Sequence, residues 1–292
     1  MIPIDDRISF YIGDHKPPFT TPNNYIKGYD TPICINLPTY KHNYHTIHPG
    51  TAYPVDIARL SKYSTKANLW AQCGDSPYIG PNYPVLVKIR DTHNPDSKGV
   101  LASLESPRHW GDLFKHKDMD WYDKRPDFIW RGADTNRRGT RLSFVKRFHQ
   151  EYNIGFSHYV QNSNEKPGQY LAEYLKGHVD IGGMLKYKYL PVVDGNDKSS
   201  ALGWILASNS IPIMPRPRFH SWLCEPWLES GKHYIECLPD FSDLLERVAW
   251  CKDHDQECSE IAENGTKFML QFMNPMTESF IEKKIIEYIN EH

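Results

Sequence analysis

Cysteine is sparse. Six thiols, Cys34, Cys73, Cys224, Cys237, Cys251 and Cys258, are spread over 292 residues, and none forms a Cys-x-x-Cys pair. That excludes a disulfide scaffold and points to reduced thiols in a cytosol-like compartment. Long apolar runs are missing too: no stretch approaches the roughly 18 uninterrupted residues of a membrane span. The opening Met1-Ile2-Pro3-Ile4-Asp5-Asp6 lacks the basic start and apolar run of a signal peptide. The expectation is a cytoplasmic protein without a transmembrane segment, with at most a peripheral membrane association. Charge of either sign is not in excess, since 34 Lys and Arg face 36 Asp and Glu for a net charge of −2. A general nucleic-acid binder is therefore excluded. The sequence also lacks a G-x-x-x-x-G-K-[ST] loop, a dinucleotide fingerprint, internal repeats and low-complexity tracts.

What is present supports a packed protein of one large or two ordinary domains, with 39% hydrophobic and 24% charged residues. Aromatics reach 13%, suited to flat ligands such as sugars or bases as well as to core packing. The first 84 residues hold half of the 22 prolines, which predicts loops and short strands there. A helix is expected near Val55–Tyr63 and a buried strand over Tyr83–Asp91. Residues Arg108–Tyr122 read as irregular helix. Beyond Arg125 strands and helices alternate. Asp127–Gly132 reads as strand then turn, Arg141–Tyr152 and Gln169–Lys176 as helices, and Tyr189–Val193 as a strand. A turn at Asp194–Asp197 leads to a helix capped by Ser199 or Ser200, then strands at Ile211–Met214 and His233–Cys237. Three amphipathic helices follow. Their apolar stripes are Leu244/Leu245/Val248/Cys251, Ile261/Ala262/Gly265/Phe268/Phe272 and Phe280/Ile281/Ile285/Ile289. This alternation implies an α/β fold with a parallel sheet covered on both faces.

In such sheets ligands bind beyond the carboxyl ends of strands. Three of these ends carry chemistry. Asp91 offers a lone carboxylate suited to a general base or to capping a turn. The stretch Trp130-Arg131-Gly132 to Arg141 holds four arginines, which can neutralise a diphosphate or form a solvated basic face. The turn Asp194-Gly195-Asn196 to Ser199-Ser200 can hold an anion at a helix start or act as an ordinary capped connection. Asp118-Met119-Asp120 matches a D-x-D metal motif, and His42/His45/His48 and His254/Cys258 are candidate metal pairs. None has a second matched set of ligands, so no metal site is assigned.

Several of these segments together resemble glycosyltransferase family 90. The family comprises the capsule-associated and lipopolysaccharide-modifying glycosyltransferases and the Rumi-like protein O-glucosyltransferases. The resemblance runs through Val87-Lys88-Ile89-Arg90-Asp91, Trp130-Arg131-Gly132, Lys186–Leu190, Asp194-Gly195-Asn196, Ser199-Ser200, Leu206–Ser210, His233-Tyr234, Asp243–Glu246, Trp250 and Ile261–Gly265 with Phe268. It extends from about Tyr83 to Phe272 and fades before that. It implies a GT-B architecture of two Rossmann-like domains facing across a cleft: an acceptor-side domain over 1–125 and a nucleotide-sugar domain over 126–275. A terminal helix over 276–292 would pack back on the first. It implies inverting transfer of glucose or xylose from a UDP-sugar to a glycan acceptor, with no cofactor and no essential metal. Asp91 would be the base. Trp130, Arg131, Gly132, Arg137, Arg138, Asp194, Gly195, Asn196, Ser199 and Ser200 would line the donor site. One departure stands out. Ala201 occupies a position where members commonly carry an arginine, with Arg216 or Arg218 as a replacement. A catalytically silent relative that binds carbohydrate or nucleotide is the alternative.

Overall fold

The computed structural model describes residues 1–15, 19–20, 33–36, 53–66, 68–105, 110, 115–135, 139–162, 164 and 168–292. Its strands are β1 (Ile33–Asn36), β2 (Asn68–Gln72), β3 (Tyr78–Ile79), β4 (Leu86–Val87), β5 (Ile89–Asp91), β6 (Ser97–Lys98), β7 (Val100–Leu101), β8 (Arg125–Phe128), β9 (Trp130–Ala133), β10 (Ile154–His158), β11 (Tyr187–Pro191), β12 (Ile211–Met214), β13 (Phe219–Ser221) and β14 (Ile235–Glu236). Its helices are α1 (Ile4–Ile12), α2 (Tyr53–Ser61), α3 (Thr140–Phe148), α4 (Ile181–Met184), α5 (Ala201–Leu206), α6 (Leu244–Asp253), α7 (Asp255–Leu270) and α8 (Pro275–Glu291).

The chain forms two compact units. The first comprises Met1–Arg108, Arg218–Trp227 and Gln271–His292; the second comprises His109–Pro217 and Leu228–Leu270. The ten-residue return of Arg218–Trp227 to the first unit has no counterpart in boundaries drawn from the sequence at 125 and 275.

In the first unit the sheet order is β1-β2-β4-β7. Strands β2, β4 and β7 run parallel, and β1 is antiparallel to β2. The apolar run over 83–91 is expected as one strand, but it changes sheets. β4 stays in the parallel sheet, whereas β5 pairs antiparallel with β13. The break falls at Lys88, a buried cation whose Nζ lies 2.6 Å from Asp75 Oδ1. A buried ammonium needs carboxylate partners, and Lys88 has Asp75 and, at 3.8 Å, Glu105. Helix α8 starts cleanly because Asn274 accepts from Met276 N–H (3.0 Å) and Thr277 N–H (3.2 Å), with Pro275 in the first turn. It buries Ile281, Ile285, Ile286 and Ile289, while Phe280, expected on that stripe, is 46% exposed. The Arg7 guanidinium on α1 is buried and reaches both Glu278 oxygens on α8, at 2.8 and 2.9 Å.

In the second unit β14, β12, β11 and β8 form a wholly parallel sheet, and β9 and β10 pair as a parallel two-stranded sheet. Every residue of β11 and β12 is buried, as expected for strands covered on both faces. One core runs from Phe128, Trp130 and Phe156 through Tyr189 and Ile213 to Val248, Cys251, Cys258 and Ile261. Leu245, expected in this core, is exposed. The helix expected over 169–176 is a single 3-10 turn, Ala172–Tyr174. Lys176 N–H instead bonds to Phe156 O at 3.0 Å, and Leu175 bridges to Phe156, so the segment is drawn alongside β10. The irregular helix expected at 108–122 falls partly outside the described residues, and the described part ends in a 3-10 turn at Trp121–Asp123. Among the described residues no helix is long and apolar enough to cross a membrane. All six cysteines are free thiols.

Candidate active site

In the first unit Asp91 closes β5, as the sequence reading places it, and its residue is 5% exposed. Its carboxylate is held on both oxygens by one guanidinium. Arg218 Nε donates to Oδ1 at 2.8 Å and Arg218 Nη2 to Oδ2 at 2.6 Å. The His93 main-chain N–H adds a third bond to Oδ1 at 3.0 Å. The fork is in place because β13 lies against β5 with Phe219 opposite Asp91, so Arg218 falls just ahead of the pairing. Arg218 was read from the sequence as a replacement phosphate ligand; here its guanidinium is engaged by Asp91. Arg216, the other replacement, has an 82% exposed side chain, 3.7 Å from Glu236.

In the second unit three turns converge beyond the carboxyl ends of β9, β10 and β11. Asp134, just after β9, is buried and accepts main-chain N–H bonds from Val160 (2.5 Å), Gln161 (3.0 Å) and Asn162 (2.7 Å), which follow β10. The Asn162 amide donates back to Asp134 O. Arg141, in the first turn of α3, donates to Ala133 O (3.0 Å) and Thr135 Oγ1 (2.8 Å) and also, by Nη2, to Val193 O (3.0 Å) beyond β11. Its guanidinium carbon sits 5.7 Å from the Trp130 ring centroid. Asn196 Nδ2 closes the group by donating to Gln161 Oε1 at 3.0 Å. Gly195 fits beneath: a Cβ there would lie 3.1 Å from Thr135 O and 3.2 Å from Arg141 Nη2.

Trp130, Gly195, Asn196, Asp194 and Ser199 thus belong to elements that meet. Gly132 serves Trp130, since a Cβ on it would fall 2.6 Å from the indole Cζ2. Arg131 points elsewhere. Its guanidinium donates to Trp130 O and Asn153 O, both at 2.8 Å, and to Asn153 Oδ1 at 2.5 Å. Asn153 in turn donates to the Tyr187 hydroxyl, so Arg131 lies at the amino ends of β10 and β11, opposite to the three turns. Burial pulls its proton affinity down. Alternation along β9 explains this, because successive side chains leave a strand on opposite faces. Arg137 and Arg138 lie outside the described residues.

The turn at Asp194–Ser200, read as an anion site or an ordinary capped connection, is capped from within. Asp194 Oδ1 accepts the Ser199 N–H at 2.9 Å, Ser199 Oγ lies 3.4 Å from Ala201 N, and the following helix α5 has six residues. Ser200, its N-cap, makes no side-chain capping bond to the helix. The group offers acceptors: Asn162 Oδ1 and Asn196 Oδ1 are buried and have no hydrogen-bond partner among the described residues. Such oxygens suit the hydroxyl or N–H donors of a ligand better than its phosphates. Sequence reading did not single out Asp134, Gln161 or Asn162, whose roles arise from long-range contacts with no local signature. The D-x-D motif is structural at its first position, where Asp118 holds the buried Lys124 at 2.5 Å and the Asn209 N–H at 2.6 Å. Among the described residues no three His, Cys, Asp or Glu side chains converge as a metal site. A cavity of about 680 Å³ opens at the α6–α7 junction, lined by Asp253, His254, Asp255, Glu257 and Glu260, and includes none of the residues above.

Comparison with known proteins agrees with the resemblance to glycosyltransferase family 90. The chain is 32% identical over 279 residues to the O-glucosyltransferase LpsA of Dichelobacter nodosus, covering 94% of this chain and 79% of that one. It is 27% identical over 220 residues to protein O-glucosyltransferase 2 of Danio rerio, covering 74% of this chain and 41% of the relative. It is 29% identical over 161 residues to human protein O-glucosyltransferase 3, covering 53% and 30%. The chain therefore spans less than half the length of the two animal relatives. Residues 109–288 match the family model described as glycosyl transferase family 90. With most of its length matched to that model, and the bacterial relative aligned almost end to end, this chain belongs to glycosyl transferase family 90.

Proposed function

We propose that this protein transfers a sugar from a UDP-sugar to an acceptor hydroxyl with inversion, using Asp91 as general base and no essential metal. Glucose is preferred over xylose as the transferred group, because the bacterial and animal relatives are O-glucosyltransferases by name. The GT-B reading goes with this proposal: the second unit would take the donor and the first would supply the base. The observation that carries it is the Asp91 carboxylate, buried at a strand end and oriented by the Arg218 fork and the His93 N–H.

In the reaction the acceptor O–H gives its proton to Asp91 as its oxygen bonds to the anomeric carbon. The bond from that carbon to the diphosphate oxygen breaks, and UDP leaves with the electron pair. Attack from the face opposite the leaving group inverts the centre. The growing charge on UDP needs positive partners, a role we assign to Arg137 and Arg138 in place of Arg131. The unpartnered oxygens of Asn162 and Asn196 would accept from donor hydroxyls. A silent carbohydrate- or nucleotide-binding relative is the second reading, favoured by Ala201 standing at a position where an arginine is expected.

The test is a donor screen, UDP-glucose and UDP-xylose first, that follows UDP release and anomeric configuration. Asp91→Asn is expected to lower turnover by about 10²- to 10⁴-fold with UDP affinity retained. Wild-type turnover in that variant removes the base, and no turnover with any donor favours the silent reading. Activity is expected to persist in excess chelator; its loss there overturns the metal-free part of the proposal.

A further inference from the structure

The Asp91–Arg218 fork does more than join two strands. The β5–β13 ladder already joins them through three residue pairs, and Arg218 O additionally accepts from Thr92 N–H at 3.0 Å and Thr92 Oγ1 at 2.7 Å. The main chain thus fixes where Arg218 begins. On its other side the chain arrives from β12 through Pro215-Arg216-Pro217, where two prolines restrict the backbone. What the side chain adds is orientation. A planar guanidinium bonded to both oxygens holds the carboxylate in its own plane, which a point charge cannot do. The pair is sheltered on the Asp91 side, with side-chain exposures of 29% for Arg218 and 5% for Asp91, so the fork sets direction as well as charge. Its geometry is the part with a consequence for chemistry.

We propose that Arg218 is the positioning residue of the base, setting the plane in which Asp91 receives the acceptor proton. This rests on the reading of Asp91 as base. Reaction geometry tolerates little error, and a misplacement of about 1 Å can cost on the order of 10²-fold in rate. Arg218 differs in this from a phosphate ligand, whose loss appears in donor binding.

The experiment compares Arg218→Gln, Arg218→Lys, Asp91→Asn and the double variant Asp91→Asn/Arg218→Gln. Turnover and donor KM are measured with UDP-glucose, UDP affinity by calorimetry, and folding by circular dichroism. Arg218→Gln is expected to lower kcat by about 10- to 100-fold while donor KM and UDP affinity stay within about twofold. Arg218→Lys keeps the charge but loses the fork, so it recovers part of the rate and serves as the folded control if the glutamine variant is unstable. Because Arg218 acts through Asp91, the double variant is expected to be no slower than Asp91→Asn alone.

Three results overturn the proposal: unchanged kcat in both folded Arg218 variants, a multiplicative loss in the double variant, or a fall in UDP affinity with kcat intact. The last makes Arg218 a phosphate ligand. If Asp91→Asn itself retains full turnover, the base reading fails, and that result is separate from a failure confined to Arg218.

Discussion

Replacing Arg141 by Met tests whether one guanidinium fastens the three turns of the second unit. Methionine keeps the apolar stem and removes the donors. The Val193 carbonyl, in a fully buried residue, loses bonds of 3.0 and 3.3 Å, and the half-buried Ala133 carbonyl loses one of 3.0 Å. A buried acceptor deprived of its donor costs about 1–3 kcal/mol. Water can replace the bond at Ala133, and the lost contact with the Trp130 face adds about 0.5–1 kcal/mol. The total is about 1.5–4 kcal/mol, or a fall of about 3–16 °C in the melting temperature of a unit this size. Differential scanning calorimetry with and without UDP is the assay. UDP binding is expected to weaken as well, since Gly195 and Asn196 lose the neighbour that holds their turn. A melting temperature within 1 °C of wild type refutes the reasoning, because the turns would then be held without Arg141. Arg141→Lys, which cannot span Ala133 and Val193 together, is expected to fall between the two.

Two further outcomes follow from burial. His233 is 7% exposed, its Nδ1 accepts the Glu229 N–H at 3.0 Å, and burial, reinforced by Lys232, lowers its pKa below 6.5. The neutral ring is the folded form, so the stability it contributes is complete above 6.5 and is lost as pH falls through the lowered folded value. Urea midpoints are expected to drop between pH 7 and pH 5, and His233→Asn to flatten that slope; an unchanged slope assigns the pH dependence to other groups. Cys34 is exposed and the other five thiols are buried, with burial pushing Cys73 and Cys224 up to about 12. A disulfide exchange reagent at pH 8 should therefore titrate one thiol rapidly in the native protein and six after unfolding; two or more fast thiols contradict this packing.

The parallel sheet was legible because Tyr189–Val193 and Ile211–Met214 are short apolar runs set between helical segments, the pattern of strands buried on both faces. The position of Asp91 at a strand end was legible for the same reason. The sheet change at Lys88 was not, since β5 finds its pairing partner in β13, more than 120 residues later. Helical periodicity located the apolar stripes but not their edges. Phe280 lies outside its stripe, with Lys284 Nζ 5.7 Å from its ring centroid. Arg131 shows the limit most clearly. The motif drew attention to the right strand, and alternation sets the face, but the anchoring of the guanidinium depends on Asn153, twenty-two residues later. The fastening residues Asp134 and Arg141 act across turns that the sequence leaves 26 to 52 residues apart. The return of Arg218–Trp227 to the first unit left no compositional mark.

That first unit is assembled from three separate stretches, the last of them Gln271–His292. Ribosomal synthesis therefore reverses the order of the units. Every residue of the second has been translated by Leu270, while the first still lacks the helix that supplies Ile281, Ile285, Ile286 and Ile289 to its core and Glu278 to Arg7. A nascent chain made as far as Leu270 thus holds the whole of the second unit, and the first completes its core only once Gln271–His292 has been made.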